Sequence, residues 1–167
     1  ALLIKGLAKG TAEPTRMASF FHAACASALP RVQTFVVSDL VDVVHALARA
    51  GAADGTILRA AARDIVSRID DCAPVDLARA AWAYAMLSAP DSADLLRAVC
   101  AAVRTTHPVR GWSAQQLTNV LWALAVADVR SDMAAVAHLR DGLASLLLAV
   151  QPSPSMHGPS VEVVRHI

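Results

Sequence analysis

The sequence predicts an all-α protein, an α-solenoid of stacked helical hairpins with a period of about 37–40 residues. Composition is the first observation behind this prediction: 36 of the 167 residues are alanine, apolar residues make up 56% and aromatic residues only 4%. Alanine is the strongest helix former, and its small side chain lets helices approach closely. An internal repeat, visible when the chain is compared with itself, is the second observation.

Three segments of the chain align without gaps. They are DLVDVVHALA at 39–48, DLARAAWAYA at 76–85 and QLTNVLWALA at 116–125. Their leading leucines (Leu40, Leu77 and Leu117) are 37 and 40 residues apart. An aromatic ring or a cysteine precedes each leading leucine by five residues, at Phe35, Cys72 and Trp112. Two matches at nearly the same spacing indicate a repeated unit.

Each segment reads as the first helix of a hairpin, with two apolar faces. Leu117, Val120, Leu121 and Leu124 follow the i, i+3, i+4, i+7 spacing of one helix face. The position of Trp122 lies about 140° further round the helix. We therefore expect Trp122 and its counterpart Trp82 to be largely buried between adjacent hairpins. A narrow polar strip remains for a ligand.

The other elements follow in order along the chain. Residues 2–10 are expected to end a first helix, and residues 17–29 to form its second helix. Further second helices are predicted over about 56–70, 91–105 and 132–150, with Thr56 and Asp91 as N-caps. The repeat array thus occupies residues 1–150, about three and a half hairpins. Residues 151–167 are predicted to be a proline-rich linker with a short unclassified tail.

Composition and motifs exclude several classes of function. Apolar runs fall well short of the roughly 18 residues that a membrane span needs, so no membrane insertion is expected. No glycine-rich phosphate loop and no nucleophile–base motif occurs, and we expect no catalytic residues, no metal site and no cofactor. His22 and Cys25, three residues apart, are interpreted as core residues of an alanine-rich helix rather than metal ligands.

The segment 116–125 resembles the hallmark of octotricopeptide repeats, whose consensus runs through Leu-Ala-Asn-x-Leu-Trp-Ala-Leu-Ala. The segments 76–85 and 39–48 are looser copies, and His45 stands where the other copies have tryptophan. The same hairpin is found in RAP-domain proteins and in Fas-activated serine/threonine kinase-like proteins. The resemblance covers roughly residues 1–150. It implies an organellar, RNA-binding helical-repeat protein, and mitochondrial ribosomes contain some members of these families.

Positive charge is concentrated in two zones. Residues 1–31 and 95–127 each carry a net charge of +3, whereas residues 36–94 carry −4. Solvated helix faces are one interpretation; contact with RNA phosphates, which supply much of nucleic-acid affinity, is the other. The predicted phosphate contacts are Arg97, Arg104, Arg110, Lys5 and Lys9. The polar strip is predicted to meet bases or sugars through Arg79, Gln116 and Asn119.

Two functional hypotheses follow. The preferred one is a non-catalytic RNA-binding protein of the mitochondrion, or alternatively the chloroplast. It would act as a structural component of a mitochondrial ribosome that binds rRNA beside neighbouring proteins. The other is a scaffold that binds only proteins within an organellar assembly. Arginines that face phosphates favour the first hypothesis, and arginines paired with aspartate favour the second.

Overall fold

Helices account for the regular structure of the computed structural model, which describes residues 14–89, 91–105, 109–129 and 133–149. The α-helices within these ranges are α1 (Pro14–Ala28), α2 (Val37–Ala50), α3 (Gly55–Ser67), α4 (Pro74–Met86), α5 (Ser92–Thr105), α6 (Ala114–Val126) and α7 (Met133–Ala149). No strand occurs in these ranges, so the predicted all-α class is confirmed there. The predicted helix end at 2–10 and the linker and tail at 151–167 lie outside the described residues.

The same turn ends each predicted first helix. Gly51, Ser88 and Asp128 all have positive φ, at 65°, 47° and 51°. In each turn the next residue donates a backbone hydrogen bond back to the last helical turn: Ala52 to Leu47 at 3.0 Å, Ala89 to Tyr84 at 3.1 Å and Val129 to Leu124 at 3.0 Å. These bonds satisfy carbonyls that a helix end leaves open. The left-handed residues are spaced by the same 37 and 40 positions as the leading leucines.

A 3₁₀ turn leads from each second helix to the next first helix. The three turns are Leu29–Thr34, Ile69–Asp71 and Val109–Gly111. The helix predicted over 56–70 therefore ends early, at Ser67. Arg68 leaves helical geometry, and its guanidinium donates a 3.0 Å hydrogen bond to the carbonyl of Phe35. Cys72, after the second turn, and Trp112, after the third, are buried.

The predicted N-cap of α3 was wrong by two residues. Asp54, not Thr56, accepts hydrogen bonds from the backbone N–H groups of Thr56 at 3.0 Å and of Ile57 at 3.2 Å. A carboxylate at this position satisfies two open donors and also interacts favourably with the helix dipole. The predicted cap Asp91 directly precedes α5 and has a left-handed φ of 64°.

The helices pack in chain order. Among first helices, α2 contacts α4 and α4 contacts α6; among second helices, α1 contacts α3, α3 contacts α5 and α5 contacts α7. Each of the pairs α2–α3, α4–α5 and α6–α7 is also in contact. The core lies between the two rows, and the leading leucines Leu40, Leu77 and Leu117 are all fully buried there. Each buried leucine stabilises the fold by about 1.5–3 kcal/mol.

Candidate nucleic-acid interface

One face of α2, α4 and α6 points away from the second helices and is covered by no other described helix. We call it the first-helix face. It consists of positions spaced by the repeat, each exposed or half-buried. Its rows are Ser38, Val75 and Gln115; Asp42, Arg79 and Asn119; His45, Trp82 and Trp122; and Arg49, Met86 and Val126. The face thus combines rings, amides, charges and apolar side chains.

Aromatic rings form one row of this face. The rings of His45 and Trp82 lie 5.2 Å apart between centroids, at 46°. Trp122 is 39% exposed, so the prediction that it would be largely buried was wrong, and Trp82 is only half-buried. Trp82 packs against the buried core and lies beside the ring of His45, and these contacts account for its lower exposure. Trp122 presents apolar ring surface to solvent.

The neighbouring row is polar and partly paired. The guanidinium of Arg79 forms an ion pair with the carboxylate of Asp42, and both side chains are about four-fifths buried. This ion pair joins α4 to α2 and helps to hold the two helices together. Arg79 was predicted to contact RNA at this position. The side-chain oxygen of Asn119 accepts a 2.8 Å hydrogen bond from the amide of Gln115. Base contact by either residue stays a prediction.

Gln116 caps the start of α6, a structural role that the prediction of RNA contact did not include. Its side-chain oxygen accepts a 2.8 Å hydrogen bond from the backbone N–H of Ser113, while the Ser113 hydroxyl accepts one of 3.3 Å from the N–H of Gln116. This reciprocal capping box begins α6. Asp76, at the equivalent position of α4, accepts from the N–H of Ala73 at 3.3 Å. The Ser-x-x-Gln pattern was the sequence signal for this cap.

The predicted phosphate contacts fall in three different settings. Arg97 forms an ion pair with Asp94, one turn earlier on α5. Arg104 is exposed in the last turn of α5, where the helix dipole favours a cation. The backbone of Arg110 lies in the 3₁₀ turn Val109–Gly111, close along the chain to Arg104. Lys5 and Lys9 lie outside the described residues.

His22 and Cys25 differ in their exposure to solvent. Cys25 is buried as expected, but His22 is exposed, which corrects its assignment to the core. The Nδ1 atom of His22 lies 3.4 Å from the carboxylate of Asp54. Burial, with a smaller contribution from Asp54, raises the pKa of the Cys25 thiol from 9.0 to about 11. The thiol is therefore protonated at neutral pH and is a poor nucleophile and a poor metal ligand.

Metal clusters and membrane spans are absent from the described ranges. No group of three or more His, Cys, Asp or Glu side chains there is arranged to hold a metal ion. None of the helices described has both the length and the apolar character needed to cross a bilayer. No protein-family model matches this chain, and neither a curated protein nor a solved structure matches it.

Proposed function

We propose that the chain is a non-catalytic α-solenoid, with a period of about 37–40 residues, that binds single-stranded RNA on its first-helix face. Three observations support a solenoid. The first helices end in equivalent left-handed turns, 3₁₀ turns connect successive hairpins, and helices of each kind contact the next of their kind in chain order. Stacked hairpins of this type create an extended binding surface along one row of helices.

The exposed ring of Trp122 is the observation that most supports RNA binding. Single-stranded nucleic acids are bound by aromatic side chains on which unpaired bases stack. His45, Trp82 and Trp122 place such rings at one position in three successive hairpins, beside polar groups that can contact sugars and base edges. Arg49, which is exposed, supplies positive charge on the same face. The whole face is short, which suits a limited contact within a larger assembly.

The cellular setting that we propose rests on the resemblance of residues 116–125 to octotricopeptide repeats. Proteins with such repeats act on organellar RNA. The near-neutral net charge of +1 provides no general attraction for nucleic acid, so long RNA tracts are a poor target. A structural role on rRNA in a mitochondrial ribosome, or in the equivalent chloroplast assembly, fits this combination best.

Replacement of Trp122 by alanine tests the proposal. Loss of one stacked base costs about 1–3 kcal/mol, so we expect the dissociation constant for an unstructured single-stranded RNA to rise about 5- to 150-fold. Leu148→Ala is the matched control, because Leu148 is an apolar residue, 69% exposed, on α7 rather than on the first-helix face. Equal affinity of Trp122→Ala and the unmodified chain would overturn the proposal.

A protein-binding scaffold is the second candidate. The pairing of Arg97 with Asp94 and of Arg79 with Asp42 favours it, because these arginines are neutralised within the chain. A triple variant with alanine at Arg97, Arg104 and Arg110 tests whether these arginines contact RNA in addition to the first-helix face. If they contact phosphates, the slope of log affinity against log salt becomes shallower by about one unit for each lost contact. An unchanged slope with intact binding would remove these arginines from the RNA interface.

A further inference from the structure

The outer side of the last described hairpin lacks the cover that the same side has in the earlier hairpins. In α2 and α4 this side consists of buried residues: Val41, Val44 and Ala48 in α2, and Ala78, Ala81 and Ala85 in α4. The next first helix packs there. The equivalent residues of α6 are exposed Thr118, half-buried Leu121 and exposed Ala125.

The second helices show the same contrast. Leu58 and Ala62 of α3 are buried, as are Leu96 and Cys100 of α5. When the second helices are aligned on their buried residues Ile57, Leu95 and Ala135, the counterparts in α7 are half-buried Val136 and exposed Arg140. Leu121 and Ala125 of α6 line one groove together with Met133 and Val136 of α7, so the uncovered sides of the two helices are continuous. We call this surface the last-hairpin face.

The composition of α7 indicates that the last-hairpin face is covered in the functional protein. Twelve of the 17 residues of α7 are apolar, yet only Ala135 and Leu139 are buried. A helix that is apolar nearly all round is normally enclosed on several sides. Along the last-hairpin face, residues follow the alternating spacing of three and four that is typical of paired helices. They are Met133, Val136, Arg140, Leu143 and Leu147.

Arg140 restricts what can cover the face. It stands where α3 has buried Ala62 and α5 has buried Cys100. A further hairpin of the same kind would bury this cation and its partner Asp141 against small apolar side chains, which is costly for both charges. The occupant therefore has to present charged groups to the middle of α7 and apolar groups to both ends.

We propose that the occupant is a second copy of this chain, which packs its own last-hairpin face against the first around a twofold axis near Arg140. Arg140 already binds Asp141 through Nε at 3.0 Å and Nη2 at 2.9 Å, and both side chains are exposed. A twofold contact brings the two Arg140–Asp141 pairs together, so each arginine gains the carboxylate of the second copy. Met133 and Leu147, each seven residues from Arg140, then meet across the axis. Such self-complementarity is the requirement for a symmetric dimer.

Sedimentation velocity of the full chain over a range of concentrations tests this dimer. We expect a concentration-dependent dimer, and we expect Leu147→Glu to raise its dissociation constant at least about tenfold. Leu147 is 61% exposed, so the substitution leaves the hairpin core intact, as an unchanged circular dichroism spectrum will show. Val36→Glu is the matched control, because Val36 is 65% exposed and lies outside the last-hairpin face.

Charge exchange provides a second readout. Arg140→Asp and Asp141→Arg should each weaken the dimer, since each brings like charges together across the axis, and the double variant should restore it. A chain that stays monomeric at all concentrations would overturn the proposal and leave a helix of another protein as the occupant. A dimer that is insensitive to Leu147→Glu would place the contact on a different surface and would equally overturn it.

Discussion

The phenol of Tyr84 lies fully buried in α4, and its hydroxyl donates a 2.6 Å hydrogen bond to the backbone carbonyl of Leu58 in α3. One side chain thereby fills the space between the two helix rows and joins two consecutive hairpins. Burial, with a smaller contribution from the charge of Asp91, raises the pKa of this phenol far above its ordinary value of 10.0.

Tyr84→Phe should lower the free energy of unfolding by about 1–2 kcal/mol, because it removes this buried hydrogen bond and keeps the ring. Urea denaturation at neutral pH measures the effect. Val75→Ala, in the same helix but at a 43% exposed position, is the control and should change stability far less. Equal losses in the two variants would show that the hydrogen bond contributes nothing.

The same residue predicts an alkaline limit to stability. The folded-state pKa of Tyr84 is raised, so its contribution is fully present below the unfolded pKa of about 10 and is lost as the pH rises towards the folded pKa. We expect the free energy of unfolding to fall above about pH 10 and to fall less steeply in Tyr84→Phe. Parallel pH profiles for the two proteins would contradict this account.

For individual residues, the sequence predicted burial well and side-chain partners poorly. The core positions Leu40, Leu77 and Leu117 follow from helix periodicity, because a leading apolar residue in each copy must face the same neighbours. Local pairing was harder to foresee. Arg97 pairs with Asp94, which lies just outside the basic zone of residues 95–127 from which the phosphate contact was predicted.

Helix α7 packs closely against a neighbouring turn at Gly142. A Cβ atom added at Gly142 would overlap Cγ1 of Val109 and lie 3.2 Å from its Cβ. Val109 belongs to the 3₁₀ turn Val109–Gly111, which contacts α7. Glycine is therefore required by packing inside a helix, where by propensity alone it is unfavourable.

Gly142→Ala should destabilise the protein, although alanine is favoured over glycine in a helix by about 1 kcal/mol. Overpacking of this kind costs about 1–3 kcal/mol, so we expect a net loss of up to about 2 kcal/mol in thermal or urea unfolding. The double variant Gly142→Ala/Val109→Ala relieves the overlap and should show a cost below the sum of the two single costs. A more stable Gly142→Ala protein would show that α7 is free to shift.

Helix ends were the least predictable feature of the elements. The sequence placed helices at every position where the structure describes one, because alanine-rich periodic segments leave little choice. The cap of α3 was misplaced because Asp54 and Thr56 are both good capping residues, and only the backbone path selects between them. Where α3 ends early, Arg68 contacts Phe35, which is 33 residues away in sequence and so could not be identified from the local pattern.

At the scale of the described molecule, the order in which hairpins pack followed from the repeat, whereas the exposure of the last described hairpin did not. Alignment treats each copy as though it had a neighbour on both sides. Ala125 and Arg140 lack that neighbour in the described part of the chain, and their exposure produces the last-hairpin face. Sequence similarity between copies therefore predicts how units join but not which surface remains free.

Ultraviolet crosslinking of the full chain to an unstructured single-stranded RNA, followed by mass spectrometry of the crosslinked peptides, tests the central claim most directly. The claim is that RNA lies on the first-helix face. It predicts crosslinked peptides from α4 and α6 that carry Trp82 or Trp122, and a loss of the α6 crosslink in Trp122→Ala. Crosslinks confined to the second helices α3 and α5, or no crosslinks at concentrations where the chain binds RNA, would contradict it.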